Sequence, residues 1–217
     1  MSETEMFDIY TEDMRKLGTA SRQKVHAQGL WHQTFHCWII QRDAEGEPSL
    51  LFQRRHPNKD VFPLLLDTSC AGHLQAGEDV KDGIRELEEE LGLAVPVEEL
   101  TYIGRVAQEH LLSPDWIDRE INHVFIYENE RPLLDYRIQT EELTGLYWVG
   151  LQEFRELRCG KRDLLTSAGV YVDEISGGLR EQQATWRLTD FTPNSDEYYQ
   201  LLFNWIEQEA TEGGTKE

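Results

Sequence analysis

Short apolar runs separated by turn residues dominate the first two thirds of the chain. TFHCWIIQR at 34–42 is rich in β-branched and aromatic residues, DAEGEP at 43–48 is a turn cluster, and SLLFQRR at 49–55 is a second apolar run. Two such runs joined by a turn cluster predict a β-hairpin over 34–55.

Further segments extend this pattern on both sides of one helix. The segment 80–91 is predicted to be helical, 119–129 and 145–150 are predicted strands, and a short strand is predicted near Asp67–Cys70. Strands on both sides of one helix predict an α+β fold, in which a mixed β-sheet lies sandwiched between helices.

From residue 151 the pattern becomes mostly helical. LQEFREL is followed by an irregular stretch around SAGVYVDEISGGLREQ and by an amphipathic helix over 196–209. We divide the chain into an N-terminal hairpin and lead-in at 1–30, a core domain at 31–155, a mostly helical C-terminal extension packed on that core at 156–209, and a flexible tail at 210–217.

The apolar residues of the C-terminal extension have three alternative roles. They would cover the core, form a wall of a substrate site or form a homodimer interface, and core covering is the default expectation. The residues concerned are Trp186, Phe191, Tyr198 and Trp205.

Composition narrows the class of protein. With 217 residues, 39% of them hydrophobic, the chain fits one globular domain. Its 41 acidic against 21 basic residues disfavour binding to nucleic acid or to an anionic membrane, although a local basic patch can still bind phosphate. Three widely spaced cysteines and a polar N-terminus without an apolar segment predict a cytoplasmic protein.

A cluster of carboxylates after a glycine-rich turn is the main chemical feature. On a helix, Glu86 and Glu90 lie four residues apart on one face, with Glu89 beside them. Like charges at this spacing repel, and Mg²⁺ would remove the repulsion while binding a diphosphate. A solvated acidic face is the alternative, but Asp79 as a helix cap and Gly92 as a helix end argue for an ordered site.

These residues resemble the Nudix box, the signature motif of the Nudix family. The matching positions are Gly72, Glu78, Arg85, Glu86, Leu87, Glu89, Glu90, Gly92 and Leu93. One residue is missing between Glu78 and Arg85, and Gly83 lies inside the predicted helix, where a better helix former is usual. The resemblance implies a Nudix fold with Mg²⁺ or Mn²⁺ held by Gly72 and the three glutamates, and with Arg85 orienting Glu89 or Glu78.

A second, narrower resemblance covers residues 5–150. VHAQGLWHQTFHCWII, DTSCAGHL and DREINHVF are similar to the Nudix branch that contains the type I isopentenyl-diphosphate isomerases. The resemblance implies a second metal site, whose matching residues here are His26, His32, His73, Asp118 and Glu120. Asp118 and Glu120 are two apart, so a strand would present them on one face.

The isomerase activity itself is the less favoured interpretation. The isomerases have a catalytic cysteine where this chain has Ala71, and Cys70 on a strand would face the other way. Hydrolysis of a phosphate ester needs no thiol. The sequence therefore predicts a Nudix hydrolase that cleaves a nucleoside diphosphate linked to another moiety, with an isomerase or a non-catalytic Nudix-like binding module as alternatives.

The remaining candidates concern the substrate and the attacking water. Relatives place diphosphate-binding cations after a core strand, where this chain has Arg54, Arg55 and Lys59. His73 is a further substrate-binding candidate, and Glu120 would be a metal ligand or would activate water. Glu109 and Glu141 are weaker candidates for positioning that water, since either could be a solvated charge.

Overall fold

A mixed β-sheet with helices on both faces forms the framework of the computed structural model, which describes residues 5–213. The strands are β1 Met6–Tyr10, β2 Lys16–Ser21, β3 His32–Arg42, β4 Pro48–Arg55, β5 Leu66–Asp67, β6 Cys70–His73, β7 Thr101–Ser113, β8 Trp116–Glu128, β9 Leu143–Gly150, β10 Leu165–Val172 and β11 Leu179–Trp186. The helices are α1 Arg22–Gln28, α2 Arg85–Leu91, α3 Leu151–Arg158 and α4 Asp196–Gly213. The predicted α+β class is confirmed.

The register of the sheet decides which residues meet. Seven strands follow the order β11-β10-β9-β4-β3-β8-β7 within residues 5–213, and β3 pairs with β8 in parallel. The predicted hairpin over 34–55 is confirmed by the antiparallel pairing of β3 with β4. Because β6 pairs with β3 on one side of this path, His73 lies opposite Thr34, while His32 lies opposite Glu120 on β8.

The helix after the glycine-rich turn is shorter than predicted. Residues Val80–Ile84 form a 3-10 turn, and the α-helix begins only at Arg85. A Cβ atom on Gly83 would lie 2.4 Å from Phe35 Cβ, so glycine is required where this turn approaches β3. Gly92 ends the helix at φ 67°, as its position predicted.

Two apolar layers cover the two faces of the sheet. One contains Phe35 and Ile39 of β3 with Leu87 and Leu91 of α2. The other contains Trp38, Phe52 and Tyr147 from the sheet with Phe154 of α3 and Tyr198 of α4. The sheet is therefore sandwiched between α2 and the C-terminal helices. No helix of the described residues is long and apolar enough to cross a membrane.

The C-terminal extension differs from the prediction. The stretch expected to be irregular forms the hairpin of β10 and β11, and β10 adds to the edge of β9. Gly169 allows the close approach, since a Cβ atom there would lie 2.2 Å from the Tyr147 ring. The extension is thus a hairpin and a helix rather than mostly helices. Helix α4 also continues to Gly213, and the rest of the predicted tail lies outside the described residues.

The apolar residues of this extension cover the core. Trp186, Phe191 and Tyr198 are buried in the layer that faces α3 and α4, and Trp205 packs against the same layer. The Tyr198 hydroxyl lies 2.8 Å from His36 Nδ1 and accepts a hydrogen bond from Trp38 Nε1 at 3.1 Å. The end of the chain is therefore joined to the central strand β3.

The N-terminal hairpin of β1 and β2 packs against the glycine-rich turn. The amide of Ala76 donates to the Met6 carbonyl at 2.8 Å, and the amide of Gly77 donates to Asp8 Oδ2 at 3.1 Å. Phe7 of this hairpin is fully buried and packs against the histidines described below. The hairpin thus supports the glycine-rich turn and the histidines from behind the cleft lining.

Candidate active site

A cleft of about 340 Å³ brings together most of the residues that the sequence singled out. The α2 carboxylates line one side, the predicted histidine site lines another, and Lys59 to Phe62 of the β4–β5 loop line a third. Thr192 and Asn194 of the C-terminal extension complete it. We call Glu86, Glu89 and Glu90 the glutamate cluster, and His26, His32, His73, Asp118 and Glu120 the histidine cluster.

Arg85 organises the glutamate cluster. Its guanidinium donates two hydrogen bonds to Glu78, at 2.9 and 3.2 Å, and further ones to Glu86 Oε1 at 2.5 Å and Glu89 Oε2 at 3.2 Å. A fifth reaches the carbonyl of His73 at 3.0 Å. The missing residue in the box therefore does not displace Glu78, because the 3-10 turn before α2 leaves it within reach of Arg85.

Burial favours the neutral form of two of the carboxylates. It raises the pKa of Glu86 to about 7 and that of Glu90 to about 8. Glu90 Oε2 is buried without a hydrogen-bond partner, and a Cβ atom on Gly72 would lie 2.1 Å from Glu86 Cδ. Crowded carboxylates with an unpartnered oxygen are the donor set that a hard divalent cation such as Mg²⁺ satisfies, so these residues fit the implied ion.

The histidine cluster is assembled from four elements. His26 Nε2 and His32 Nε2 lie 3.5 and 3.8 Å from Asp118 Oδ1, and His73 Nε2 lies 3.5 Å from Glu120 Oε1. The buried atoms His32 Nε2, His73 Nε2 and Asp118 Oδ1 lack hydrogen-bond partners. Several unpartnered nitrogen and oxygen donors facing one another fit a divalent ion such as Mn²⁺ or Zn²⁺.

Neighbouring groups fix the histidine rings. His26 Nδ1 lies 2.8 Å from the Arg22 carbonyl and His32 Nδ1 lies 3.1 Å from the Leu30 carbonyl. A carbonyl only accepts, so each Nδ1 carries the proton and each Nε2 keeps a free lone pair. Burial lowers the pKa of His32 to about 4, which keeps that lone pair available at neutral pH. His73 differs, because the Arg22 guanidinium donates to its Nδ1 at 3.2 Å.

Aromatic rings stack on the three histidines of the cluster. Phe7 of β1 stacks on His32 with ring centroids 5.3 Å apart and on His73 at 4.7 Å. Trp116, at the start of β8, stacks on His26 at 4.8 Å. The histidine cluster therefore depends on the N-terminal hairpin as well as on the sheet.

A chain of amides links Glu120 to the C-terminal helix. Asn122 Nδ2 donates to Glu120 Oε2 at 2.8 Å, and Asn122 Oδ1 accepts from Gln108 Nε2 at 2.8 Å. Gln108 Oε1 in turn accepts from the amide of Ser195, just before α4, at 2.6 Å. These bonds orient Glu120, and sequence spacing alone gives no signal for them.

The predicted cations divide into two groups. Arg55 and Lys59 line the cleft, Arg55 donating to Asp67 Oδ2 at 2.7 Å and Lys59 pairing with Glu142. Arg54 does not line the cleft, because adjacent strand residues face opposite sides. Its guanidinium lies 5.9 Å from the centre of the Trp186 ring and donates to the Leu64 carbonyl at 3.4 Å.

The structure also separates the weaker candidates. Glu109 pairs with Arg119, and neither Glu109 nor the exposed Glu141 lines the cleft. Their place is taken by Glu142, one residue beyond the residue that the sequence suggested. Sequence reasoning also missed a group of cleft residues that lack a motif: Arg22, Asp67, His110, Thr192 and Asn194.

Cys70 does not line the cleft, and its buried thiol lies beside Glu90. Its side chain is fully buried, and burial raises the pKa of the thiol well above its usual value. The cleft is lined instead by Ala71, the next residue. The alternation expected along a strand holds here.

The chain is similar to several known proteins. A model of the NUDIX domain matches residues 30–167. An uncharacterized Nudix hydrolase of Clostridium acetobutylicum is 37% identical over 200 residues, which is 92% of this chain and 96% of that protein. Isopentenyl-diphosphate Delta-isomerase 2 of Photorhabdus laumondii is 28% identical over 167 residues, covering 76% of this chain and 87% of that protein. The crystal structure of DR0079 from Deinococcus radiodurans shares the fold, with a TM-score of 0.53 at 20% identity over 72% of this chain and 90% of that one.

Proposed function

The chain belongs to the Nudix family of hydrolases, and on that premise we propose that it is a divalent-metal-dependent pyrophosphohydrolase. Its proposed substrate is a nucleoside diphosphate linked to a second group. The observation that carries the proposal is the glutamate cluster, in which Arg85 orients Glu78, Glu86 and Glu89 beside the unpartnered oxygen of Glu90.

Each part of the cleft has a role in this reaction. Glu86, Glu89 and Glu90 would hold Mg²⁺ or Mn²⁺, with Gly72 contributing backbone, and the ion when bound would neutralise the diphosphate charge and polarise a phosphoryl oxygen. Arg55 and Lys59 bind the diphosphate oxygens. Water attacks one phosphorus atom, the bridging P–O bond breaks, and the leaving phosphate takes the bond electrons while the cations balance its charge.

The histidine cluster is proposed to bind a second divalent ion. His26, His32 and Asp118 supply its ligands, and Glu120 either joins them or accepts the proton of the attacking water. His73 can join through Nε2 only if Arg22 releases Nδ1, since a neutral imidazole carries one proton. The amide chain through Asn122 holds Glu120 toward this position.

Hydrolysis is favoured over alkene isomerisation by the position of the thiol. Protonation and deprotonation of an alkene needs a group on the reacting side of the cleft, where Ala71 lies. The Cys70 thiol is fully buried and does not line the cleft. A metal-dependent hydrolase needs no such group.

The test is a substrate panel assayed with Mg²⁺ or Mn²⁺, after chelation and after restoring the ion, with products resolved by mass. The panel contains nucleotide sugars, dinucleotides, nucleoside di- and triphosphates and isopentenyl diphosphate. Metal-dependent release of a nucleoside monophosphate is the expected result. Isomerised prenyl diphosphate without phosphate release, or tight binding without turnover of any compound, would overturn the proposal.

A further inference from the structure

The lining of the cleft includes part of a strained turn whose backbone conformation is costly to form. In the β4–β5 loop, Phe62 has φ 49° and Leu64 has φ 66°, on either side of Pro63. A left-handed conformation is unfavourable for bulky side chains, and a following proline restricts the backbone further. Strained residues of this kind persist where the surroundings force them and are concentrated at ligand sites.

Two arginines hold this turn in place. Arg55 Nε donates to the Val61 carbonyl at 3.0 Å, and Arg54 Nε donates to the Leu64 carbonyl at 3.4 Å. The two bonds bracket Phe62 on both sides. Arg54, which does not line the cleft, thus acts on the cleft through the loop.

The ring held by this turn packs against another ring of the cleft lining. Phe62 and His110 have ring centroids 5.5 Å apart and an interplanar angle of 86°. In such an edge-to-face pair at least one ring contributes only its edge, so its two faces stay free of the partner. Both rings line a cleft whose other apolar lining, in the described part of the chain, is limited to Val61, Ala71 and Pro193.

We propose that Phe62, held by Arg54 and Arg55 and faced by His110, stacks on the flat ring of a nucleobase and selects it as the non-phosphate end of the substrate. This inference rests on the proposed function. The polar remainder of the lining suits a diphosphate and a sugar, and the aromatic pair of Phe62 and His110 is left as the surface for a base. Specificity for the base therefore lies in the β4–β5 loop.

The experiment measures binding of two probes by calorimetry in the presence of Mg²⁺. The first is α,β-methylene-ADP, which carries a base, and the second is methylenebisphosphonate, which has none. Phe62→Asn removes the ring and keeps a residue that tolerates the left-handed conformation. Leu64→Asn is the matched control, because Leu64 has the same strain in the same loop but does not line the cleft.

We expect Phe62→Asn to weaken the nucleotide analogue about tenfold, the size of one base–aromatic stack. The bisphosphonate should bind as in the wild type, Leu64→Asn should change neither probe, and Phe62→Tyr should restore nucleotide affinity. Equal weakening of both probes would overturn the inference. Hydrolysis of nucleotide substrates that is unaltered in Phe62→Asn would overturn it too, while leaving the proposed hydrolase function intact.

Discussion

The glutamate cluster and the histidine cluster of the cleft are assembled from different kinds of structural element. The glutamate cluster comes from a single turn of α2, whereas the histidine cluster comes from α1, β3, β6 and β8. Spacing along one helix fixes the first, and strand register fixes the second, since His32 lies opposite Glu120 and Thr34 opposite His73. A local cluster can therefore be recognised in a sequence by its spacing, while a dispersed one needs a structure or a relative.

The clusters also differ in how their charges are balanced without an ion. Arg85 neutralises the glutamate cluster through hydrogen bonds to two of its members, and the side chain of Glu89 is about half exposed. The histidine cluster is buried among Phe7 and Trp116, with unpartnered atoms. We expect the first cluster to matter most for turnover and the second to matter most for metal content.

The largest expected effect comes from the glutamate cluster. Glu90→Gln removes an anionic ligand but keeps the shape of the side chain, so kcat should fall by on the order of 100-fold or more with the thermal midpoint preserved. Glu88→Gln, an exposed change on the same helix, should retain full turnover. Steady-state kinetics with Mg²⁺ measure both, and full activity in Glu90→Gln would remove the glutamate cluster from the mechanism.

Removing a ligand from the histidine cluster should lower the metal content of the protein. His26→Gln deletes a nitrogen whose lone pair faces Asp118, so purified protein should contain one divalent ion fewer per chain, as measured by elemental analysis. His56→Gln serves as the control, because His56 does not line the cleft. An unchanged metal content in His26→Gln would show that this cluster is a hydrogen-bonded structural group.

A smaller effect should appear as a pH dependence of stability. Burial lowers the pKa of His36 to about 4, below its ordinary value of 6.5, so the unfolded chain binds more protons between these values. Stability should therefore fall as the pH drops from about 6.5 to 4, by up to about 3 kcal/mol from this residue. Denaturant titrations should show a weaker fall in His36→Gln, and an equal fall would mean that other groups cause it.

The smallest effect is expected at Cys70. Cys70→Ala removes a buried sulfur from the layer facing α2 and leaves the cleft lining unchanged, so kcat/KM should stay within about twofold. Ala71→Ser, which alters the cleft side of the same strand, provides the comparison. A large loss of activity in Cys70→Ala alone would revive a role for the thiol.

Local features were predictable and long-range ones were not. The glutamate cluster, the hairpin over 34–55 and the end of α2 at Gly92 follow from spacing, turn chemistry and glycine conformation. The hairpin of β10 and β11 did not follow, because its pairing depends on an edge offered by β9 and on the close approach at Gly169. The places of Arg22 and Asn194 in the cleft likewise follow only from packing.

The cleft is lined both by Glu5, early in the described sequence, and by Asn194, late in it. During synthesis the first of these residues is made early and the second late. A nascent chain therefore contains the glutamate cluster long before the cleft can close around it. The cleft therefore closes only after synthesis has passed Asn194. A chain that stops before this residue would keep the glutamate cluster and lose part of the cleft around it.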